Sequence, residues 1–176
     1  MGRIGGRRWV FVGVAVLLMS VGPSAASGQI AVGMNGSISD IRGGTFGVAG
    51  RVAVVALTAD EWRFALEGVA QVFFPPCDNV DCDLVGVELN LLGERQLGGR
   101  FSAYLGAGVI YEDAKLQGDD LQVFDGDDWG LNLLVGNRLQ ANERIQPFLE
   151  VRLSLMQEQS NQFGFAAGIR VPLGGG

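Results

Sequence analysis

IQPFLEVRLSL, residues 145–155, separates into two unlike faces when read at a period of two. Ile145, Pro147, Leu149, Val151, Leu153 and Leu155 fall on one side, and Gln146, Phe148, Glu150, Arg152 and Ser154 fall on the other. Successive side chains of an extended chain point to opposite faces, so alternation of this length marks a β-strand. Two settings accommodate it. In a soluble sheet the leucine face lies in a core and the Glu150/Arg152 face is wet. In a membrane barrel the leucines meet lipid, and Glu150 and Arg152 point into a narrow lumen. The choice rests on the rest of the chain.

The 176 residues suffice for one domain. Arg3, Arg7 and Arg8 form a positive start, and Trp9 to Val21 is an apolar run interrupted only by Gly13 and Ser20. Gly22-Pro23 and the small residues Ser24 to Gly28 follow. That order is a secretory signal peptide. The run is also short of the roughly 20 residues that a spanning helix needs. Cleavage is expected just before Gln29, giving a signal peptide at 1–28 and a single mature domain at 29–176. Loss of three arginines moves the formal charge from −6 to about −9, which speaks against nucleic acid as a partner. Lys115 is the one lysine, so nearly all positive charge is arginine, and histidine is absent from the chain. Cys77 and Cys82 lie in the turn-rich PPCDNVDCD. In an oxidising compartment that spacing predicts a local disulfide that staples the loop. Two thiols are too few for a soft-metal site.

Alternation recurs along the mature chain and predicts eight strands: Gln29–Ser39, Thr45–Leu57, Trp62–Phe74, Leu84–Arg95, Phe101–Glu112, Trp129–Leu139, Ile145–Leu155 and Asn161–Leu173. All exceed the usual strand of about 5–6 residues and reach the roughly 9–11 that a tilted strand needs to cross a bilayer. Short connections, TADE, QLGG and QANER, follow the second, fourth and sixth strands. The cysteine loop Pro75–Asp83 follows the third, and the acidic loop Asp113–Asp128 follows the fifth. The connections near DIRGG and MQEQS are only modestly longer than the short set. A transmembrane barrel has short turns on one side and longer loops on the other.

The composition of the faces decides between the two settings. On the third strand Trp62, Phe64, Leu66, Gly68, Ala70, Val72 and Phe74 oppose Arg63, Ala65, Glu67, Val69, Gln71 and Phe73. Apolar faces that begin or end in an aromatic fit girdles at the two bilayer interfaces. The opposite faces carry single charges among glycine, alanine and serine. Small residues fit the filled interior of an eight-stranded barrel, whereas a wet soluble face favours lysine, glutamate and threonine. The expected fold is therefore all-β, an eight-stranded antiparallel up-and-down transmembrane barrel.

Arg51, Arg63, Glu67, Gln71, Glu88, Asn90, Tyr104, Glu112, Arg138, Glu150, Arg152 and Arg170 are expected inside it. Charges in so narrow a space must be paired and hydrogen-bonded, and the planar fork of arginine pairs bidentately with carboxylates. Pairing of Arg63, Arg138 and Arg152 with Glu67, Glu88 and Glu150 gives a plugged interior. A water-filled small-solute channel is the competing expectation. A soluble lipocalin-like carrier of an apolar ligand is a second alternative, and it requires the opposite faces, with Leu149 and Phe64 inside.

With its signal peptide, the penultimate strand PFLEVRLSL and the closing strand FGFAAGIRVPL, the chain resembles the small eight-stranded outer-membrane barrels of bacteria, the OmpX and OmpA-transmembrane-domain group and its porin-like relatives. The resemblance implies a bacterial outer-membrane location and a monomer in contact with outer-membrane lipid and the barrel-assembly machinery. It also implies loops that face an unidentified extracellular partner. Such barrels usually end in an aromatic residue, whereas here the last strand closes at Leu173 before three glycines. No further domain is expected after the barrel. Enzymes built on small outer-membrane barrels resemble one another in using histidine for acid–base work, which this chain lacks, so neither catalysis nor a cofactor is expected. The loop DAKLQGDDLQVFDGDD offers Asp119, Asp120, Asp125, Asp127 and Asp128 as carboxylate ligands for a divalent cation. Its spacing is not that of a recognised calcium loop, and the expectation is a solvated acidic loop with no metal.

Overall fold

The computed structural model describes residues 29–40, 44–75, 81–117, 126–140, 144–158 and 160–173. These form a closed barrel of eight strands in chain order: β1 (Ile30–Ser39), β2 (Thr45–Ala59), β3 (Trp62–Phe74), β4 (Asp81–Gly98), β5 (Phe101–Gln117), β6 (Gly126–Leu139), β7 (Gln146–Met156) and β8 (Gln162–Leu173). Every neighbouring pair is antiparallel, and β8 closes on β1 from Ile30↔Leu173 to Ser39↔Gly164. Closure leaves no open edge for another chain to extend. The signal segment 1–28, Cys77 of the predicted disulfide, and Asp119, Asp120 and Asp125 lie outside the described residues, as does the side chain of Cys82.

Period-two alternation fixes which way each strand faces, because a one-residue slip would exchange its two sides. Along β7, Leu149 is 58% exposed while Glu150 is 3% exposed, and the pattern holds from Phe148 to Met156. On β7 the leucines thus line the outside and Glu150 the inside. The inverted arrangement with Leu149 and Phe64 enclosed, which a lipocalin-like carrier requires, is not the one adopted.

Outer aromatics gather in two bands. Phe46 and Phe74 stack at 6.3 Å, Tyr111 meets Trp129 at 4.9 Å, and Phe163 meets Phe165 at 5.0 Å, all toward the end that bears the longer loops. Trp62 and Phe64 pair at 6.4 Å near the opposite end, which carries the short turns and the two ends of the barrel sheet.

The tight turns have local causes. Gly98 and Gly99 take positive φ (132° and 58°), and Asp60 takes 51°. Glycine adopts this region without steric penalty, and aspartate tolerates it better than most residues. One-residue irregularities follow Val55 in β2 and Gln96 in β4, each close to a turn.

Four strands run further than the alternation indicates, β2 by two residues to Ala59 and three others by more. β4 begins at Asp81 and ends at Gly98, where Leu84 and Arg95 were the expected bounds, β5 continues to Gln117 beyond Glu112, and β6 begins at Gly126 ahead of Trp129. Part of the acidic segment 113–128 is therefore sheet: Asp113 pairs with Asp127, and Asp81 with Gln117. Ladder hydrogen bonds join backbone groups and continue with or without an apolar face. Hydrophobic alternation marks only the part of a strand that has two different environments.

Candidate functional site: the barrel lumen

Inward-facing residues are stacked in layers. A central layer is organised by Glu150 on β7, whose carboxylate accepts from both terminal nitrogens of Arg51 at 2.7 and 2.9 Å, from the Tyr104 hydroxyl at 2.9 Å and from Arg152 at 2.9 Å. Arg51 on β2 also donates to Asn35 at 2.7 Å and to Glu67 at 3.2 Å, and its guanidinium lies 4.8 Å from the ring centroid of Phe148. Arg152 bridges to Glu88 and to Gln71, the latter at 3.2 Å, while Asn90 donates to Glu88 at 3.0 Å. Each arginine spreads its planar donors over more than one acceptor, which a lysine could not do in this geometry.

Toward the turn end, Glu94 on β4 accepts from Arg138 at 2.5 Å and from Ser102 at 2.6 Å, with Arg63 3.7 Å away. The Arg138 guanidinium lies 4.2 Å from the Tyr104 ring centroid. Leu92, Tyr104 and Leu134 form a buried apolar cluster beside this layer. Tyr104 fits only because Gly136 faces it on β6, where an added Cβ would sit 2.3 Å from the phenol ring. Glycine on an inner face is therefore a packing requirement at this point.

Toward the loop end the polar contacts involve fewer charges. Ser154 donates to Asn132 at 2.7 Å, and Gln162 donates to Glu112 at 2.8 Å. Asp128 accepts from the backbone N–H of Trp129 at 2.7 Å and of Glu158 at 3.1 Å, so its carboxylate ties the start of β6 to the connection after β7. Asp127 is exposed. Neither has the company a metal needs: among the described residues no group of three or more His, Cys, Asp or Glu could hold an ion.

Of the residues singled out from sequence, Arg51, Glu67, Gln71, Glu88, Asn90, Tyr104, Glu112, Arg138, Glu150 and Arg170 are buried, and Arg63 and Arg152 are half-buried. The pairing among them differs from the expected scheme. Arg152 does meet Glu88 and Glu150, but Arg63 and Arg138 share Glu94, and Glu67 meets Arg51. Glu94 is a lumen residue that the sequence reading misses. Its signal was present, since Glu88, Asn90, Leu92 and Glu94 share one parity of β4. The apolar Leu92 broke the polar run, and the strand appeared to end at Arg95. Leu92, Ile110 and Leu134 are equally inward and fully buried. Sequence could not separate them from outer-face leucines by residue type, only by parity.

Five arginines (Arg51, Arg63, Arg138, Arg152, Arg170) and five glutamates (Glu67, Glu88, Glu94, Glu112, Glu150) thus face inward among the described residues. Between the layers are small spaces. One of about 10 Å³ is bounded by Arg51, Glu67, Arg138, Phe148 and Arg170, and one of about 20 Å³ by Ser37, Gln71, Arg152 and Ser154. Each has room for a solvent molecule or two.

No protein-family model matches the chain, and no curated protein does. Solved structures do. Neisserial surface protein A is similar with a TM-score of 0.56 at 16% identity, over 84% of this chain and 98% of that one. Ail, the attachment invasion locus protein of Yersinia pestis, is similar with a TM-score of 0.61 at 12% identity, over 83% and 97%. The N-terminal β-barrel domain of Pseudomonas aeruginosa OprF is similar with a TM-score of 0.60 at 13% identity, over 83% and 99%. At these identities the likeness establishes a shared eight-stranded barrel fold.

Proposed function

We propose that the chain is a non-enzymatic barrel of the bacterial outer membrane, monomeric, with a polar plug in its lumen and loops that present a surface for interaction. The observation that carries this reading is the direction of the faces. Leu131, Leu133, Leu149 and Leu153 point outward between two aromatic bands, while the arginines and glutamates point inward. In water such a surface would expose a continuous apolar belt far larger than soluble monomers carry. In a bilayer the same belt is the solvent-matched face, and the closed sheet presents no open strand edge to lipid. The structural neighbours include outer-membrane and surface proteins by name, which agrees with this location.

The plug is supported by the layers around Glu150 and Glu94 and by the smallness of the spaces between them. An interior in which Arg51, Arg63, Arg138 and Arg152 pair with Glu67, Glu88, Glu94 and Glu150 acts as a scaffold, since those charges are committed to holding the wall together. The exposed role falls to the loop end. There β4 and β5, of 18 and 17 residues, outrun β1 and β7, of 10 and 11. At about 3.4 Å per residue the longer pair spans roughly 60 Å, well beyond a tilted crossing of a hydrocarbon core of about 30 Å. The loop end of this ribbon, Asp81 on β4 paired with Gln117 on β5, stands on the side of the barrel where loops on a rigid scaffold bind partners.

Cell fractionation combined with gel migration before and after heating tests the reading. The protein is expected in the outer-membrane fraction, with a compact form that shifts on boiling. Recovery in the soluble periplasm without detergent overturns it.

A further inference from the structure

The cavity at the turn end of the lumen has an unbalanced lining. Arg51, Arg138 and Arg170 contribute three guanidinium groups, and Glu67 the single carboxylate. Two of the three cations are already engaged. Arg51 is spent on Glu150, Glu67 and Asn35, and Arg138 on Glu94. Arg170 is not. It is 8% exposed, its Nε is buried with no partner, and no ion pair or hydrogen bond closes on it among the described residues. The Nε of Arg138, another residue of the cavity lining, is likewise buried without an acceptor.

Two orphan donors on two cations at one cavity call for an occupant that accepts hydrogen bonds and carries negative charge. Gly33 keeps the space open. It lies opposite both Arg51 and Arg170 in the sheet register, and a Cβ there would come within 2.8 Å of the Ile169 carbonyl oxygen. At about 10 Å³ the space admits a monoatomic ion or one water, and excludes phosphate or a carboxylic acid. Water could accept from both N–H groups but brings no charge to set against Arg170, whereas a halide supplies acceptor and charge together. The wider charge distribution has the same sign. Arg51, Arg63, Arg138 and Arg170 outnumber Glu67, Glu94 and Glu150 in this half of the lumen, while Glu88, Glu112 and Asp128 outnumber Arg152 in the other. We propose that this cavity binds a single monovalent halide, chloride in the native setting, held by Arg170 and Arg138 as an integral part of the plug.

Bromide is the probe. Crystals of the mature barrel grown in sodium bromide should show one anomalous peak inside the lumen, within hydrogen-bond distance of the Arg138 and Arg170 guanidinium groups. In detergent, at ionic strength held constant with sodium gluconate, the folding equilibrium constant should rise with bromide or chloride. Above the dissociation constant it should approach tenfold per tenfold of free halide, the linkage expected of one site present only in the folded state. Arg170→Gln should fold and lose that dependence, because it removes a cation that makes no ion pair with the protein. A lumen feature without anomalous signal in bromide means water only, and overturns the proposal. So does a halide dependence that Arg170→Gln leaves unchanged, which would place the ion elsewhere. If Arg170→Gln does not fold, the bromide peak in the unsubstituted protein decides alone.

Discussion

Replacing Glu150 should be the most damaging single change in the lumen, and it should be non-additive with replacement of Arg51. Glu150 accepts four hydrogen bonds, two from Arg51, one from Arg152 and one from Tyr104. Removing one member of a buried ion pair destabilises by about 3–5 kcal/mol, because the remaining charge is left uncompensated. Here both arginines keep a second carboxylate, Glu67 for Arg51 and Glu88 for Arg152, so the lower end applies, about 3 kcal/mol for Glu150→Gln. Arg51→Met should lose a similar amount, since it strands Glu150 on one side. The double variant should be much less harmful than the sum, with a coupling of about 2 kcal/mol, within the range for groups in one network. Arg51 is the right partner for this cycle because it meets Glu150 through two nitrogens, whereas Arg152 meets it through one. Equilibrium unfolding in urea, with the barrel in lipid vesicles, gives the four free energies. Losses that add to within about 0.5 kcal/mol would mean separately solvated side chains, and a water-filled channel would then replace the plug.

Leu149→Arg should impair membrane assembly by about 2–4 kcal/mol, the penalty for arginine on the lipid face near the midplane, and more than Arg152→Ala does; equal insertion of wild type and Leu149→Arg would undercut the face assignment. Gly136→Val should destabilise by about 1–3 kcal/mol, because its Cβ would meet the Tyr104 ring; an unchanged unfolding midpoint would show that Tyr104 is free to move. Thiol labelling of denatured, unreduced protein should find no free Cys77 or Cys82, whereas full labelling of both would remove the disulfide from the account. Planar-bilayer recordings should show no steady conductance, whereas regular single-channel steps would replace the plug with a channel.

The architecture was legible because a barrel wall between two media writes its structure into alternate residues. On β3, β5 and β7 the parity of the sequence assigns each side chain to its face without further information. The pairing inside the lumen was less legible. Parity says that Arg138 points inward, but its partner depends on the stagger between strands, which brings Glu94 of β4 to Arg138 of β6 across β5. The reach of arginine adds to the ambiguity, since Arg51 contacts Glu67 on the adjacent strand and Glu150 across the barrel. Strand ends at the loop side were obscured for a different reason. Beyond Glu112 the alternation changes phase, with Asp113, Lys115 and Gln117 on the parity that is apolar from Phe101 to Tyr111, so the pattern no longer marks one continuous strand.

The central claim is that the leucine face meets lipid, and site-directed spin labelling addresses it most directly. In a Cys77→Ser/Cys82→Ser background reconstituted in vesicles, single nitroxides at Leu149, Val151 and Leu153 should collide freely with oxygen and scarcely with a water-soluble nickel complex. A label at Ser154, inside the barrel, should be shielded from both. Ready collision of the nickel complex with labels at Leu149 and Leu153 would place that face in water and contradict the account.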